Sequence, residues 1–188
     1  MLSILALSLN RTMYGSLGLG LEMEATLNAL SIGQSMLDEI TQKNFDQKTD
    51  PAKGGKVAYS YSDITASGSL GPESGESISG IDSAYYVGGV FHDFQSKSLV
   101  SGVPRYNDVD DYHLYHRKVF DPRMGYFDVV DSVMYVSETN PDQATGSATF
   151  YKKIVVVVSH PNLPKKNASD LTSQPIILKD LSIYRQYF

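Results

Sequence analysis

The chain has 188 residues and contains neither cysteine nor tryptophan. The missing cysteine removes disulfide staples, thiolate metal sites, cysteine nucleophiles and iron–sulfur clusters together. It leaves the redox compartment open, because a disulfide-free domain also occurs outside the cell. Basic residues are in deficit, with 16 Lys+Arg against 21 Asp+Glu and a formal net charge of −5. That balance lacks the basic footprint of a nucleic-acid binder. No G-x-S-x-G elbow, P-loop or strand-linked G-x-G-x-x-G is present. No enzyme class is indicated, and no cofactor is expected.

Charge is scarcest at the start. Charged residues make up 20% of the chain, so 37 residues should hold about seven, yet residues 1–37 hold only Arg11, Glu22 and Glu24. Met1–Asn10 holds none. Leu2, Leu5 and Leu9 recur at helical spacing, as do Leu27, Leu30, Leu37 and Ile40. Residues 1–43 are therefore expected to be one long helix, closed near Asn44. Gly15, Gly18 and Gly20 weaken its middle, each by roughly 1 kcal/mol relative to alanine. A helix of about 42 residues is about 63 Å long. The remaining ~145 residues form a globule roughly 38 Å across. About a third of the helix should then protrude. An apolar protrusion calls for a bilayer, a partner or copies of itself. Met1–Leu9 is too short to span a bilayer, which takes about 20 apolar residues. It also lacks the basic n-region and cleavage site of a secretory signal.

Residues 44–188 alternate short β-type runs with turn residues. Strands are expected at Lys56–Ser62, Ala84–Phe94, Tyr115–Phe120, Tyr126–Val136 and Phe150–Ser159. Gly88-Gly89 suggests a bulge or turn inside the second of these. The run Ile154–Val158 suggests a central strand covered on both faces. Ile176–Leu178 and Leu181–Tyr187 read as a closing hairpin turned at Lys179-Asp180. Asp63–Ile81, Glu138–Ala148 and Pro161–Ser173 read as loops. The fold class is α+β: a helix over 1–43 and an antiparallel β-sheet head over 44–188. The 13 tyrosines suit either strands or subunit contacts.

The densest acidic cluster is Asp108, Asp110 and Asp111 beside Asn107. Oxygen-rich loops bind Ca²⁺. The spacing departs from an EF-hand, which needs a ligand at the Tyr112 position and a following glycine. A structural loop, with Asp side chains accepting backbone amides, is the favoured reading. His113 and His116 lie three apart, while His92 and His160 are isolated, too few for a zinc site by spacing alone. Asn10-Arg11-Thr12 and Asn167-Ala168-Ser169 match the glycosylation sequon.

This layout resembles type IV pilins and pseudopilins. It is most similar to the minor pilin-like, D-type components of mannose-sensitive haemagglutinin pilus systems. Three segments carry the resemblance: Ala29-Leu30-Ser31-Ile32-Gly33-Gln34-Ser35-Met36-Leu37-Asp38-Glu39-Ile40, Leu70-Gly71-Pro72-Glu73-Ser74-Gly75-Glu76, and Asn107-Asp108-Val109-Asp110-Asp111-Tyr112-His113. The resemblance implies a structural subunit anchored in the inner membrane before assembly, then polymerised into an extracellular surface filament. Its partners would be copies of itself and other pilins. The alternatives are a minor pseudopilin of a secretion system and an adhesin or carbohydrate-binding head. The usual Gly-Phe-x-x-x-Glu start is not seen, and about ten residues of the usual mature N-terminus are expected to be missing. The implied assembly helix comprises Leu2, Leu5, Leu9, Arg11, Met13, Leu17, Glu22, Glu24, Leu27 and Leu30. Arg11 of one subunit would meet Glu22 or Glu24 of another. Gly15, Gly18 and Gly20 would form a non-helical segment in the assembled filament.

Overall fold

The computed structural model describes residues 2–74, 76, 82–87, 90–95, 106–167 and 172–185, with backbone alone for residues 2–9, 11, 12, 15, 53, 82–85, 87 and 90–95. Helix α1 runs Leu2–Thr41 without interruption. The strands are β1 (Asp82–Val87), β2 (Val90–Gln95), β3 (His116–Asp121), β4 (Gly125–Ser137), β5 (Asn140–Ala144), β6 (Tyr151–Ser159) and β7 (Ile176–Ile183). Among the described residues they form one sheet in the order β2-β1-β3-β4-β6-β7, with β5 beside β4. The pairings are antiparallel except β1 with β3, which is parallel. A parallel pair needs a long connection, and the chain between β1 and β3, which includes β2, is long enough to supply it. The α+β class stands, with one parallel pair inside an otherwise antiparallel sheet.

Helix and sheet share one core. Ala25, Ala29, Ile32, Met36 and Ile40 fall on one helical stripe and are buried against Val119, Phe127, Val129, Val133, Ile154, Val156 and Val158. Gly33 lies in this stripe because the backbone comes close to the sheet. A Cβ there would sit 2.7 Å from Leu178 Cδ1 and 3.2 Å from Val158 Cγ2. Polar anchors fix the helix end. Arg117 of β3 grips Glu39 through two guanidinium bonds of 2.9 and 3.2 Å, and the Tyr112 hydroxyl donates to Glu39 at 2.7 Å. The second half of α1 thus packs in the same core as the sheet.

Several sequence expectations change. Lys56–Ser62 is not a strand. Asp63 Oδ2 captures the amides of Tyr59 and Ser60 at 2.9 Å each and closes a single 3-10 turn at Tyr61–Asp63. A local side-chain acceptor has outcompeted a strand ladder, and Val57, Tyr59 and Tyr61 point outward. Lys179-Asp180 is not a turn. β7 runs straight through it, with Lys179 opposite Val155 and Asp180 opposite Ile154. β6 is central, between β4 and β7, but it is not covered on both faces. Ile154, Val156 and Val158 are buried under α1, while Val155 and Val157 are half-buried on the other side. The helix covers only one face of the sheet. β5 lies where a loop is expected. Its residues are all exposed and include no large apolar side chain, so no hydrophobic alternation marks it. Gly88 and Gly89 lie outside the described residues.

Candidate functional sites: an exposed helix and a buried acidic cluster

Before Ala25 the helix leaves the head. Met13, Tyr14, Leu17, Leu19, Leu21 and Met23 are all exposed, and Leu27 and Leu30 are exposed on the outer side of the packed half. Leu17 and Leu27 show 60% and 63% of their surface, and with their neighbours they make a row of exposed large apolar side chains along one helix. Leu19, Met23 and Leu27 line a groove of about 250 Å³ with Glu22, Thr26 and Pro164. Leu2, Leu5, Leu9 and Arg11 lie on the α1 backbone, and their side chains are outside the description. No described helix is long and apolar enough to cross a membrane.

The expected non-helical segment is helical in the single chain: Gly15, Gly18 and Gly20 all lie inside α1. Nothing stands within 4 Å of a Cβ built on Gly18 or Gly20. Both glycines are exposed, so the helix there is held by its own i→i−4 ladder and not by packing. Glu24 has a partner within its own chain, Arg123, at 3.0 Å. Glu22 is half-buried at the groove.

Asp108, Asp110 and Asp111 are fully buried in a loop joined to the end of α1. Asn44 N donates to Asn107 O at 3.3 Å, and Val109 N to Asn44 O at 2.9 Å. Backbone amides converge on the acids, as expected of a structural loop. Asp108 Oδ1 accepts from Asp110 N at 3.0 Å and Asp111 N at 3.3 Å. Asp111 Oδ2 accepts from Asn107 N at 2.7 Å and Asp108 N at 3.1 Å. Gln47 N donates to Asp108 Oδ2.

The fold adds two acids that spacing does not reveal. Glu73 joins Asp108 and Asp110, and Glu73 with Glu76 joins Asp111; in each trio the carboxylate oxygens lie within 4.8 Å of one another. Asn107 Nδ2 donates to Glu76 Oε1. Burial, then the neighbouring Glu76, Asp111 and Asp110, push Glu73 up to about 8. Burial and the charges of Asp110 and Asp111 push Asp108 up to about 9, against the pull of Lys152. Asp111 rises to about 6, burial outweighing the backbone amides it accepts.

Lys152 of β6, also missed from sequence, is fully buried beside this cluster. Its Nζ lies 2.6 Å from Asp110 Oδ1 and 3.3 Å from Asp46 Oδ2, donates to Phe45 O, and sits 4.4 Å from the Phe45 ring centroid. Asp46 also accepts Thr65 N at 2.7 Å, tying the loop after α1 to the head. The only sequence signal for Lys152 is two lysines, Lys152-Lys153, opening an apolar strand. The histidines serve separate ends: His113 Nδ1 accepts Val133 N at 3.3 Å, His116 Nε2 lies 3.3 Å from Asp128 Oδ1, and His160 stacks on Phe127. His92 lies in β2, its side chain outside the description.

Compared with family models, curated proteins and solved structures, the chain matches none.

Proposed function

We propose that this chain is a pilin-like structural subunit that polymerises through its N-terminal helix into an extracellular surface filament. The carrying observation is the helix from Met13 to Leu30: its large apolar side chains are exposed, while the small Ala25 and Ala29 are buried against the head. Burying that outer surface against neighbouring helices supplies the driving force, at about 25 cal/mol per Å². Head-to-tail packing of identical subunits along an axis gives contacts that do not close into a ring. Partners on this reading are copies of the chain and other pilins, with the inner membrane as the site of the precursor.

The test is recovery of the protein in sheared surface filaments, imaged with a specific label. The Leu17→Asp and Leu27→Asp variants should lose filament incorporation while keeping the head's unfolding transition. Incorporation that survives both substitutions, or a wild-type chain that stays in the cell body fraction, sinks the reading. A second arm addresses charge. Reversal at Arg11 should block incorporation, and paired reversal at Glu22 should restore part of it, more than reversal at Glu24, which is held by Arg123.

A further inference from the structure

Asp110 and Asp111 are fully buried, yet each keeps one carboxylate oxygen with no hydrogen-bond partner: Oδ2 of Asp110 and Oδ1 of Asp111. Glu73 Oε2 is a third buried oxygen in this condition. These atoms belong to the two interlocking trios that share Glu73. Leaving a buried carboxylate oxygen unbonded is costly, and here it recurs three times in one place. The buried cation nearby does not relieve it, because Lys152 bonds the other oxygen of Asp110. Five carboxyl groups, those of Glu73, Glu76, Asp108, Asp110 and Asp111, make up these two trios, and among the described residues Lys152 bonds one of them, Asp110.

We infer that Glu73, Asp108, Asp110 and Asp111, with Glu76 beside them, form a binding site for a hard divalent cation, Ca²⁺ in preference to Mg²⁺. The side chains of the two trios offer oxygen alone, whereas zinc sites draw on nitrogen and sulfur. Three carboxyl groups meet in each trio, and Glu73 belongs to both. That suits the six to eight oxygens of Ca²⁺ better than Mg²⁺, which keeps most of its waters. The scaffold is preorganised. Backbone amides of Asn107, Asp108, Asp110 and Asp111 hold the loop through Asp108 Oδ1 and Asp111 Oδ2. The unbonded oxygens of Asp110 and Asp111 are thereby left to a ligand. A bound cation would pin the 70–76 segment to the loop at the end of α1 and so brace the base of the helix. The site lies within one chain, so it stands or falls independently of the filament reading.

The test is calorimetric titration of the chelator-stripped chain with CaCl₂, alongside thermal unfolding. We expect one saturable site and a Tm rise of about 5 °C or more at millimolar CaCl₂. MgCl₂ should bind at least tenfold more weakly. The Glu73→Gln variant, at the half-buried edge of the cluster, should lose at least tenfold in Ca²⁺ affinity while its chelator-stripped form melts no lower than wild type. The exposed control Asp142→Asn should titrate like wild type. A flat titration with equal Tm in chelator and CaCl₂, an unchanged affinity in Glu73→Gln, or equal binding of Mg²⁺ and Ca²⁺ would overturn the inference.

Discussion

Lys152 Nζ lies 2.6 Å from Asp110 Oδ1, and neither side chain has any exposed surface. The lysine stands on β6 and the aspartate in the loop packed against the end of α1. Two distant parts of the chain are thereby joined by a contact that water does not screen. Removing one member of such a pair strands the other charge, which costs about 3–5 kcal/mol. Lys152→Met should therefore lower Tm by about 10 °C or more, measured by thermal unfolding in chelator. A shift of less than about 3 °C would show that Asp46 and Asp110 do not depend on the lysine.

Asp131 is a buried carboxyl whose two oxygens have no hydrogen-bond partner. Burial raises it well above the ordinary aspartate range, opposed by the charge of Arg117 and reinforced by that of Glu39. A raised carboxyl means the native state holds a proton that the unfolded chain has released. Stability therefore falls as pH rises through the unfolded value, near pH 4. Asp131→Asn should raise Tm at pH 7 by about 3 °C or more, an effect of about 1 kcal/mol or above. The gain should vanish below about pH 4. A variant that melts lower than wild type at pH 7 contradicts this account.

Glu39 has the opposite sign. Burial would raise it, but Arg117, by charge and hydrogen bond, and then the Tyr112 hydroxyl hold it below the ordinary glutamate range. Its contribution is complete at neutral pH and is lost as pH falls through its folded value. Glu39→Gln should cost about 1–3 kcal/mol at pH 7. Urea unfolding at stepped pH should show this difference closing below about pH 4.

The helix glycines divide by environment. At Gly18 and Gly20 an added methyl meets nothing, so alanine should gain about 1 kcal/mol of helix per site. Amide exchange around these residues should slow about fivefold per substitution. If filament packing needs this segment to unwind, the double variant should assemble less; unchanged assembly counts against that distortion.

At Gly33 the nearest atom to an added Cβ is the tip of Leu178. A flexible tip can move, so Gly33→Ala should be near neutral. Gly33→Leu should overpack the helix–sheet contact, at a cost of about 1–3 kcal/mol. Equal melting of both variants would show that α1 does not sit tightly on β6 and β7.

Much of the fold was legible in the sequence because periodicity reports burial. Leu37 and Ile40 at helical spacing marked the part of α1 that packs on the head. The runs at 115–120, 126–136 and 150–159 marked β3, β4 and β6 to within a residue. Where a residue serves a local bond or a polar strand, periodicity is silent. Asp63 capturing two amides erased the strand expected at 56–62, and the exposed residues of β5 gave no alternation to find.

The sequence by itself determined a charge-poor helix, because composition is a local fact. That Leu37 and Ile40 pack on the head while Leu27 and Leu30 are exposed, with Ala25, Ala29, Ile32 and Met36 as the buried stripe, was decided by the tertiary structure. The sequence also placed Asp108, Asp110 and Asp111 in one loop, since they are neighbours in the chain. Only the tertiary structure decided that Glu73 and Glu76 join them and that Lys152 is buried against Asp110. It also decided that Glu24 pairs with Arg123. Those meetings span roughly 30 to 100 residues of chain, and no local pattern encodes which acid a folded sheet brings to which base.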